Sequence, residues 1–540
     1  MPRSPPWVPG RTDKRLPHSW HYMVLPSPDR LSFASRRVEQ GFDECDGKTA
    51  YKIPTGKLLD RAHPLRNHGH LASLYLCCRY LSEGKMRVHL VGIGGAGLSA
   101  IARVLKERGY EVSGSDRAHS SLLEELAKEG VKVFVGHKGE NVHGADIVLI
   151  SSAVPGDNPE VQEARRLGIP VLKRAEFLGW LTQGYKVIAV AGTHGKSTTT
   201  AMVAWILERA GFSPSYIVGG IMANSGLNAS HGQGPYFVIE ADEYDRTFLG
   251  LRPFLALVTA LEMDHPDCYP DLEAMKEAFE EFLGRVEPGG YILGCGDEGN
   301  VAEVLRKVKG NAITYGLKDG NVWQGESLGL GEGGHIYQVK MGGRVWGPFS
   351  LAIPGLQNVK NAVGAIAACH ILGVEPEQSG LALSSFRGLK RRFEIKGEAG
   401  GVIVVDDYAH HPTEIKVTLA AARERFPGRE IWAVFQPHTY SRTKALLEEF
   451  ASSFSQADHV IICDIYAARE KDTLGISSLD ILALMDHPDA KYIGSLEAVA
   501  FYLEEHLKPG AVLITLGAGD VYQVGEKVLE ALRGKGEDEG

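Results

Sequence analysis

Three shortages narrow the possibilities before any motif is considered. Cysteine is sparse: the seven in 540 residues, Cys45, Cys77, Cys78, Cys268, Cys295, Cys369 and Cys463, include no C-x-x-C pair. An odd, scattered set argues against a disulfide framework or a cysteine zinc site and fits a reduced, cytoplasmic setting. Long apolar runs are also missing. A membrane-spanning helix needs ~20 apolar residues, and the nearest stretch, Leu71–Leu81, is short and carries Arg79. No membrane insertion is expected, and Met1–Arg15, broken by prolines and charges, does not read as a signal peptide. Third, there is no basic excess. The formal net charge of −9 points away from a nucleic-acid binder. Small anionic ligands stay open, because local charge decides those.

What is present is ordinary for a globular protein: 44% hydrophobic and 23% charged residues. At roughly 100–200 residues per domain, the length fits three or four domains. Residues 1–85 are rich in Pro, Arg, His and Ser and show little period. They are expected to be a disordered extension, or an upstream translation ahead of a true start at Met86. An intact mass from the native host that included them would overturn the second idea. From Met86 strands alternate with helices, which implies an α/β architecture of parallel sheets covered by helices. Three blocks follow, residues 86–183, 184–390 and 391–532, then a polar tail, 533–540, expected to fray.

Each block carries polar motifs at strand ends. In the first, the strand Arg87–Val91 leads into Gly92-Ile93-Gly94-Gly95-Ala96-Gly97 and a helix to about Arg108, with Gly109 as its cap. Asp116 ends the next strand, 19 residues after Gly97. That fits a dinucleotide fingerprint in which the acid takes a ribose hydroxyl. NAD or any nucleoside diphosphate would suit it.

In the second block the apolar strand Lys186–Ala191 opens into Gly192-Thr193-His194-Gly195-Lys196-Ser197-Thr198 and a helix. Glycines let backbone N–H groups face an anion, and the helix N-terminus adds its dipole. Lys196 has the reach for β- and γ-phosphates, and Ser197 a hydroxyl for Mg²⁺. The spacing differs from the usual phosphate loop, because Val190 stands where the first glycine would be. Glu240-Ala241-Asp242-Glu243 ends another strand and offers the oxygen ligands that Mg²⁺ prefers. Glu262-Met263-Asp264-His265 ends a third, where His265 reads as a metal ligand or a substrate contact. Residues 310–350 read as β-hairpins and loops. In the third block, Asp406–Glu414 and Gln436–Thr443 are dense in ionisable types at strand ends. Arg442 is the natural partner for a carboxylate.

Taken in order, Gly192–Ser197, Glu240–Glu243, Asp264-His265, Asn358-Val359-Lys360-Asn361, Arg391-Arg392-Phe393-Glu394 and Asp406–Glu414 resemble the Mur ligase family of peptidoglycan synthesis, over about Met86–Leu532. The resemblance implies a Rossmann-like N-terminal domain, a central P-loop-type ATPase domain and a Rossmann-like C-terminal domain. ATP and Mg²⁺ are the implied cofactors. It moves Gly92, Gly94, Gly95, Gly97, Ser115 and Asp116 from NAD to the UDP part of a sugar substrate. ATP falls to Gly192, Thr193, His194, Gly195, Lys196, Ser197 and Thr198, with Asn358 and Asn361 at adenine, Asp407 at ribose, and Arg392. Ser197 and Glu240 would hold one Mg²⁺ and His265 a second. Tyr408, His410, His438 and Arg442 would frame the acceptor amino acid. Lys196, His265, His410 and Arg442 are the implied catalytic set.

Within the family, Gly92–Gly97 with Gly114-Ser115-Asp116, Asp406–Glu414, Gln436–Thr443 and Asp464–Glu470 are most like the branch that joins L-alanine to the lactyl carboxylate of UDP-N-acetylmuramate. That branch works through an acyl phosphate, as a cytoplasmic monomer or homodimer. Three departures stand out: Ser197 for the commoner threonine, Gln357 where a histidine often precedes Asn358, and Ala260 where asparagine is common. A sister ligase attaching a recycled tripeptide, an NAD-dependent oxidoreductase built on Gly92–Gly97, and a non-catalytic nucleotide-regulated protein are the rival readings.

Overall fold

The computed structural model describes residues 86–468 and 470–538. The expectations for residues 1–85, and for Arg469 within Asp464–Glu470, lie outside the described residues. Three sheets are built in chain order. The first has five parallel strands, in the order Lys132–Val135, Glu111–Asp116, Arg87–Val91, Ile147–Ile150 and Val171–Lys173. Its central strand is buried along nearly its whole length, because helices cover both faces. Successive strands are added on one side of Arg87–Val91 and then on the other. The carboxyl end of that strand is therefore a switch point, where open sheets of this kind bind ligands. The helix Ala96–Glu107 buries Leu98, Ile101, Val104 and Leu105 and closes on Gly109 at φ 84°, as its sequence requires.

The second sheet has ten strands. Lys186–Ala191 lies at its heart, parallel to Leu255–Val258 on one side and Tyr236–Glu240 on the other. All three expected strand-end motifs of the second block thus open on one edge. The helix Lys196–Arg209 is apolar on most sides because it is buried between this sheet and the helix Leu356–Ile371. Trp323–Gly331, Gly334–Met341 and Arg344–Leu351 form the expected hairpins.

The third sheet has six strands, with Val512–Leu516 between Val402–Asp407 and Ile431–Phe435. Asp406 and Asp407 lie inside a strand rather than in the loop after it. The last helix, Tyr522–Asp538, runs through Gly534, past the residue expected to begin a frayed tail.

The domains meet through polar contacts. Arg103 of the helix Ala96–Glu107 is buried and binds Glu125, Glu129 and, across the junction, Asn228. His335 of the second sheet stands 3.0 Å from Glu424 on the helix Pro412–Arg425 of the third domain. Among the described residues no helix is long and apolar enough to cross a membrane.

Candidate active site

The phosphate-loop turn is shaped by close approach. Gly192 has φ 131°, and a Cβ there would lie 2.3 Å from Thr259 Oγ1 and 2.7 Å from the Ala260 carbonyl oxygen. Gly195, at φ 79°, caps the helix Lys196–Arg209, and a Cβ there would strike Asn361 Oδ1 at 2.8 Å. Only glycine fits either place. The turn is pinned to the next strand end. Thr193 N donates to Ala260 O (2.9 Å), and Thr193 Oγ1 accepts from Glu262 N (2.9 Å). A helix of this length then aims its N-terminus at the site, a favourable setting for phosphate.

Lys196 folds over this turn. Its Nζ donates to Gly192 O (2.6 Å), Thr193 O (3.3 Å) and Glu243 Oε1 (2.8 Å). Burial opposes its charge, but Glu243, Glu240 and Asp242 hold its pKa above the ordinary lysine range. Ser197, Glu240 and His265 line the same cleft of about 460 Å³ as Lys196. Glu240 Oε2 accepts from Gly219 N at 2.7 Å. His265 sits at φ 55°, a conformation rare for a side-chain-bearing residue, with Nε2 3.8 Å from Glu243 Oε1. Mg²⁺ keeps several waters and binds through a few protein groups plus phosphate oxygens. A hydroxyl, a half-exposed carboxylate and an imidazole around one cleft fit that habit.

The glycine turn of the first domain meets this cleft only at its far end, through Ala96 and Gly97. Gly92, Gly94 and Gly95 stand back from it. Gly94 N donates to Asp116 Oδ2 at 2.9 Å, so the acid fixes the turn itself. Ser115, expected at the UDP moiety, is instead fully buried. Its hydroxyl donates to Glu160 Oε2 at 2.5 Å, because β-strand alternation turns it toward the helix Pro159–Arg166.

A cavity of about 120 Å³ brings together His194, Gly195, Thr198, Gln357, Asn358, Asn361, Arg392 and Asp407, from two domains. Asn358 Nδ2 donates to Pro354 O (2.7 Å), and Asn361 Nδ2 lies 3.4 Å from Asn358 Oδ1. Both oxygens of Asp407 accept backbone N–H groups at 2.8 Å, from Phe393 and Ala409. The expected ribose ligand is thus partly spent on holding Phe393, which sits at φ 49°. Burial pushes the Asp407 carboxyl up to about 6, against the pull of Arg392. Arg392 Nη1 donates to Glu414 Oε1 at 3.2 Å. His194 lies between two carboxylates, Nε2 3.6 Å from Glu262 and Nδ1 3.5 Å from Glu414. Burial opposes its protonation, yet the two acids raise its pKa to about 9.

A third pocket, of about 220 Å³, is lined by Tyr408, His410, His438 and Arg442, with Asp242 and His265 on its rim. His410 Nδ1 stands 2.9 Å from Tyr408 O, so the neutral ring donates there and keeps a lone pair on Nε2. Burial holds this imidazole down at about 3, hence neutral at physiological pH. Arg442 has a second engagement besides the pocket. Its Nε and Nη2 both donate to Asp264 Oδ1, at 3.1 and 2.8 Å, and the two side chains are buried together. That part of the guanidinium ties the third domain to the second. Only the Nη1 edge, 3.3 Å from His438 Nδ1, remains beside the pocket.

Three sequence profiles cover this arrangement: "Mur ligase family, catalytic domain" over residues 87–186, "Mur ligase middle domain" over 190–369 and "Mur ligase, glutamate ligase domain" over 391–519. The chain belongs to the Mur ligase family. It is 44% identical over 446 residues to the UDP-N-acetylmuramate–L-alanine ligase of Alkaliphilus metalliredigens, covering 82% of this chain and 96% of that one. It is likewise 44% identical over 448 residues to the enzyme of that name from Caldanaerobacter subterraneus, covering 82% and 97%. Among solved structures, a UDP-N-acetylmuramate–alanine ligase from Thermotoga maritima superposes with a TM-score of 0.70 at 29% identity, over 83% of this chain and all of that one. A murein peptide ligase from Psychrobacter arcticus gives 0.66 at 26% identity, over 83% and 99%.

Three residues at the centre of this Mur ligase are not singled out by the sequence motifs. Glu243, fully buried against Lys196, was passed over for Glu240, which ends the strand. Arg174 binds the Asp242 carboxylate, and a Cβ on Gly97 would meet its Nη1 at 2.5 Å. No local motif marks it. Asp264 lies within a sequence motif, but its bond to Arg442 spans 178 residues.

Proposed function

We propose that this Mur ligase joins L-alanine to the lactyl carboxylate of UDP-N-acetylmuramate, converting ATP to ADP and phosphate. One observation carries the reading. The 460 Å³ cleft borders the nucleotide cavity at Gly195, Arg392 and Glu414, and borders the small acceptor pocket at Asp242, His265 and His410. A nucleotide, a UDP-sugar carboxylate and an amine would therefore converge on one place.

A carboxylate does not condense with an amine unaided, because oxide is a poor leaving group. Transfer of the γ-phosphoryl group to the carboxylate makes an acyl phosphate. The amine attacks its carbonyl carbon, and the tetrahedral adduct expels phosphate with loss of one amine proton. Phosphoryl transfer is mostly positioning and charge neutralisation. Lys196, held cationic by three acids, takes that role. Arg174 and the N-terminus of the helix Lys196–Arg209 flank the same cleft. Mg²⁺, held by Ser197 and Glu240 with His265 at a second position, would supply further neutralisation of phosphate charge. Neutral His410 offers its Nε2 lone pair to the incoming amine, while the Nη1 edge of Arg442 with His438 and Tyr408 receives the amino-acid carboxylate. Asn358, Asn361, Thr198, Arg392 and Asp407 would line the nucleoside. Residues 86–183, 184–390 and 391–532 accordingly serve UDP-sugar, ATP and amino acid. The setting is the cytoplasm, and the partners are small molecules.

The test is phosphate release with UDP-N-acetylmuramate while the acceptor is varied. Turnover with L-alanine that exceeds turnover with the tripeptide L-alanyl-γ-D-glutamyl-meso-diaminopimelate supports the reading, as the 220 Å³ pocket requires. The reverse preference would replace it with the tripeptide ligase.

A further inference from the structure

Where the phosphate-loop turn meets the third domain, His194, Glu262 and His411 bring three ligand atoms within 4.8 Å of one another. They come from the turn, from the segment after the strand Leu255–Val258, and from the residue that caps the helix Pro412–Arg425. Glu262 and His411 have no part in the reaction as proposed. His194 is buried, and its two ring nitrogens stand 3.6 Å from Glu262 and 3.5 Å from Glu414, ion-pair contacts too long to be good hydrogen bonds. Without a metal, a proton offsets these two acids; a cation on Nε2 would displace that proton and take over its role.

The spacing fits a cation. Two ligands on one tetrahedral ion, with bonds of ~2.0–2.2 Å, stand roughly 3.3–3.6 Å apart. His194 Nε2 and Glu262 Oε2 are 3.6 Å apart. Glu414, 3.5 Å from the other nitrogen, stands where metal-binding histidines place a carboxylate. His411 has a backbone carbonyl in that place: Nε2 lies 3.4 Å from Met263 O, so the tautomer that donates there keeps its lone pair on Nδ1. The competing contact, Thr413 N to Nδ1, is long at 3.3 Å. Two imidazoles and one carboxylate suit zinc and cobalt, whereas Mg²⁺ takes oxygen ligands.

We propose that His194, Glu262 and His411 form a site for a divalent transition cation of the zinc class, distinct from the Mg²⁺ positions in the phosphate cleft. The ion would clamp the third domain to the second at the rim of the nucleotide cavity, which His194 and Glu262 line.

The test uses the full chain, stripped with chelator and titrated with Co²⁺ in excess Mg²⁺, without nucleotide or UDP-sugar. One equivalent should bind with visible absorption of nitrogen-ligated cobalt, and Zn²⁺ should bleach it. His411→Ala and Glu262→Gln, checked for folding by circular dichroism, should each weaken binding at least ~10-fold. Glu240→Gln should leave it intact. The proposal is overturned if no tight equivalent binds, if both His411→Ala and Glu262→Gln keep full affinity, or if Glu240→Gln abolishes it. No turnover enters the measurement, so its failure leaves the ligase reading standing.

Discussion

Lys196 illustrates how a single residue is prepared for its task. Its Nζ has three oxygen partners within 3.3 Å, and the nearest charge is the buried Glu243. Removing the ammonium leaves that carboxylate uncompensated and takes a cation from the phosphoryl path. Lys196→Ala should lower kcat by at least ~10²–10³ in a phosphate-release assay, the usual cost of one such electrostatic group. Near wild-type turnover would sink the assignment. Glu243→Gln isolates the second half of the pair. It should lower kcat more than it raises the KM for UDP-N-acetylmuramate, because it disturbs the lysine's position and leaves the sugar's own contacts alone. The lysine was legible in the sequence, since a strand, a glycine turn and a helix surround it. Its partner was not. After Glu240 the chain bends through Asp245 and Arg246, both in the left-handed region, and that kink is what stays invisible to strand-end logic.

At the scale of elements, the strands that carry motifs were legible because buried parallel strands read as continuous apolar runs bounded by glycine. Arg87–Val91 and Lys186–Ala191 have the bounds read from sequence. Short edge strands such as Val171–Lys173 and Ala490–Tyr492 carry too little pattern to be seen. Nor does the sequence show which way a strand-end side chain points, and Ser115 does not line the 460 Å³ cleft for that reason. Its hydroxyl belongs to a buried knot around Glu160. Besides Ser115, the carboxylate accepts from Asn141 Nδ2 (2.5 Å) and Lys138 N (3.3 Å), with His89 and His137 at 3.6 and 3.3 Å. Burial opposes its ionisation, but His89, Ser115 and Asn141 hold its pKa down at about 2, against 4.5 for a free glutamate. A depressed carboxylate contributes stability above its unfolded value and loses it as pH falls through the folded one. First-domain stability should therefore decline between about pH 4.5 and about pH 2, and Glu160→Gln should flatten that slope. Hydrogen exchange in the strands Arg87–Val91 and Glu111–Asp116 reads the domain separately. An unchanged slope in the variant would count against the knot.

Across the whole molecule, the third domain is held to the second by polar pairs. These are Arg442 with Asp264, Thr413 Oγ1 with Glu262 Oε2 at 2.7 Å, His335 with Glu424, and His194 with Glu414. Interfaces of this composition resemble transient ones and permit relative motion. Closure is what keeps water from an acyl phosphate, so the pairs that hold the domains together bear on catalysis as well as on stability. Glu262 and Glu414, one from each domain, carry like charge and face the same imidazole. Protonated His194 offsets their repulsion, and neutral His194 does not. Its pKa of about 9 is above the ordinary 6.5, so the contribution is complete below 6.5 and lost as pH rises through about 9. The radius of gyration of chelator-stripped protein from small-angle scattering should therefore increase between pH 7 and pH 9.5 without nucleotide. His194→Gln, which carries no charge at either pH, should show the larger radius at both. Equal radii for the wild-type chain at the two pH values would mean that the remaining pairs hold the third domain closed without the histidine's charge.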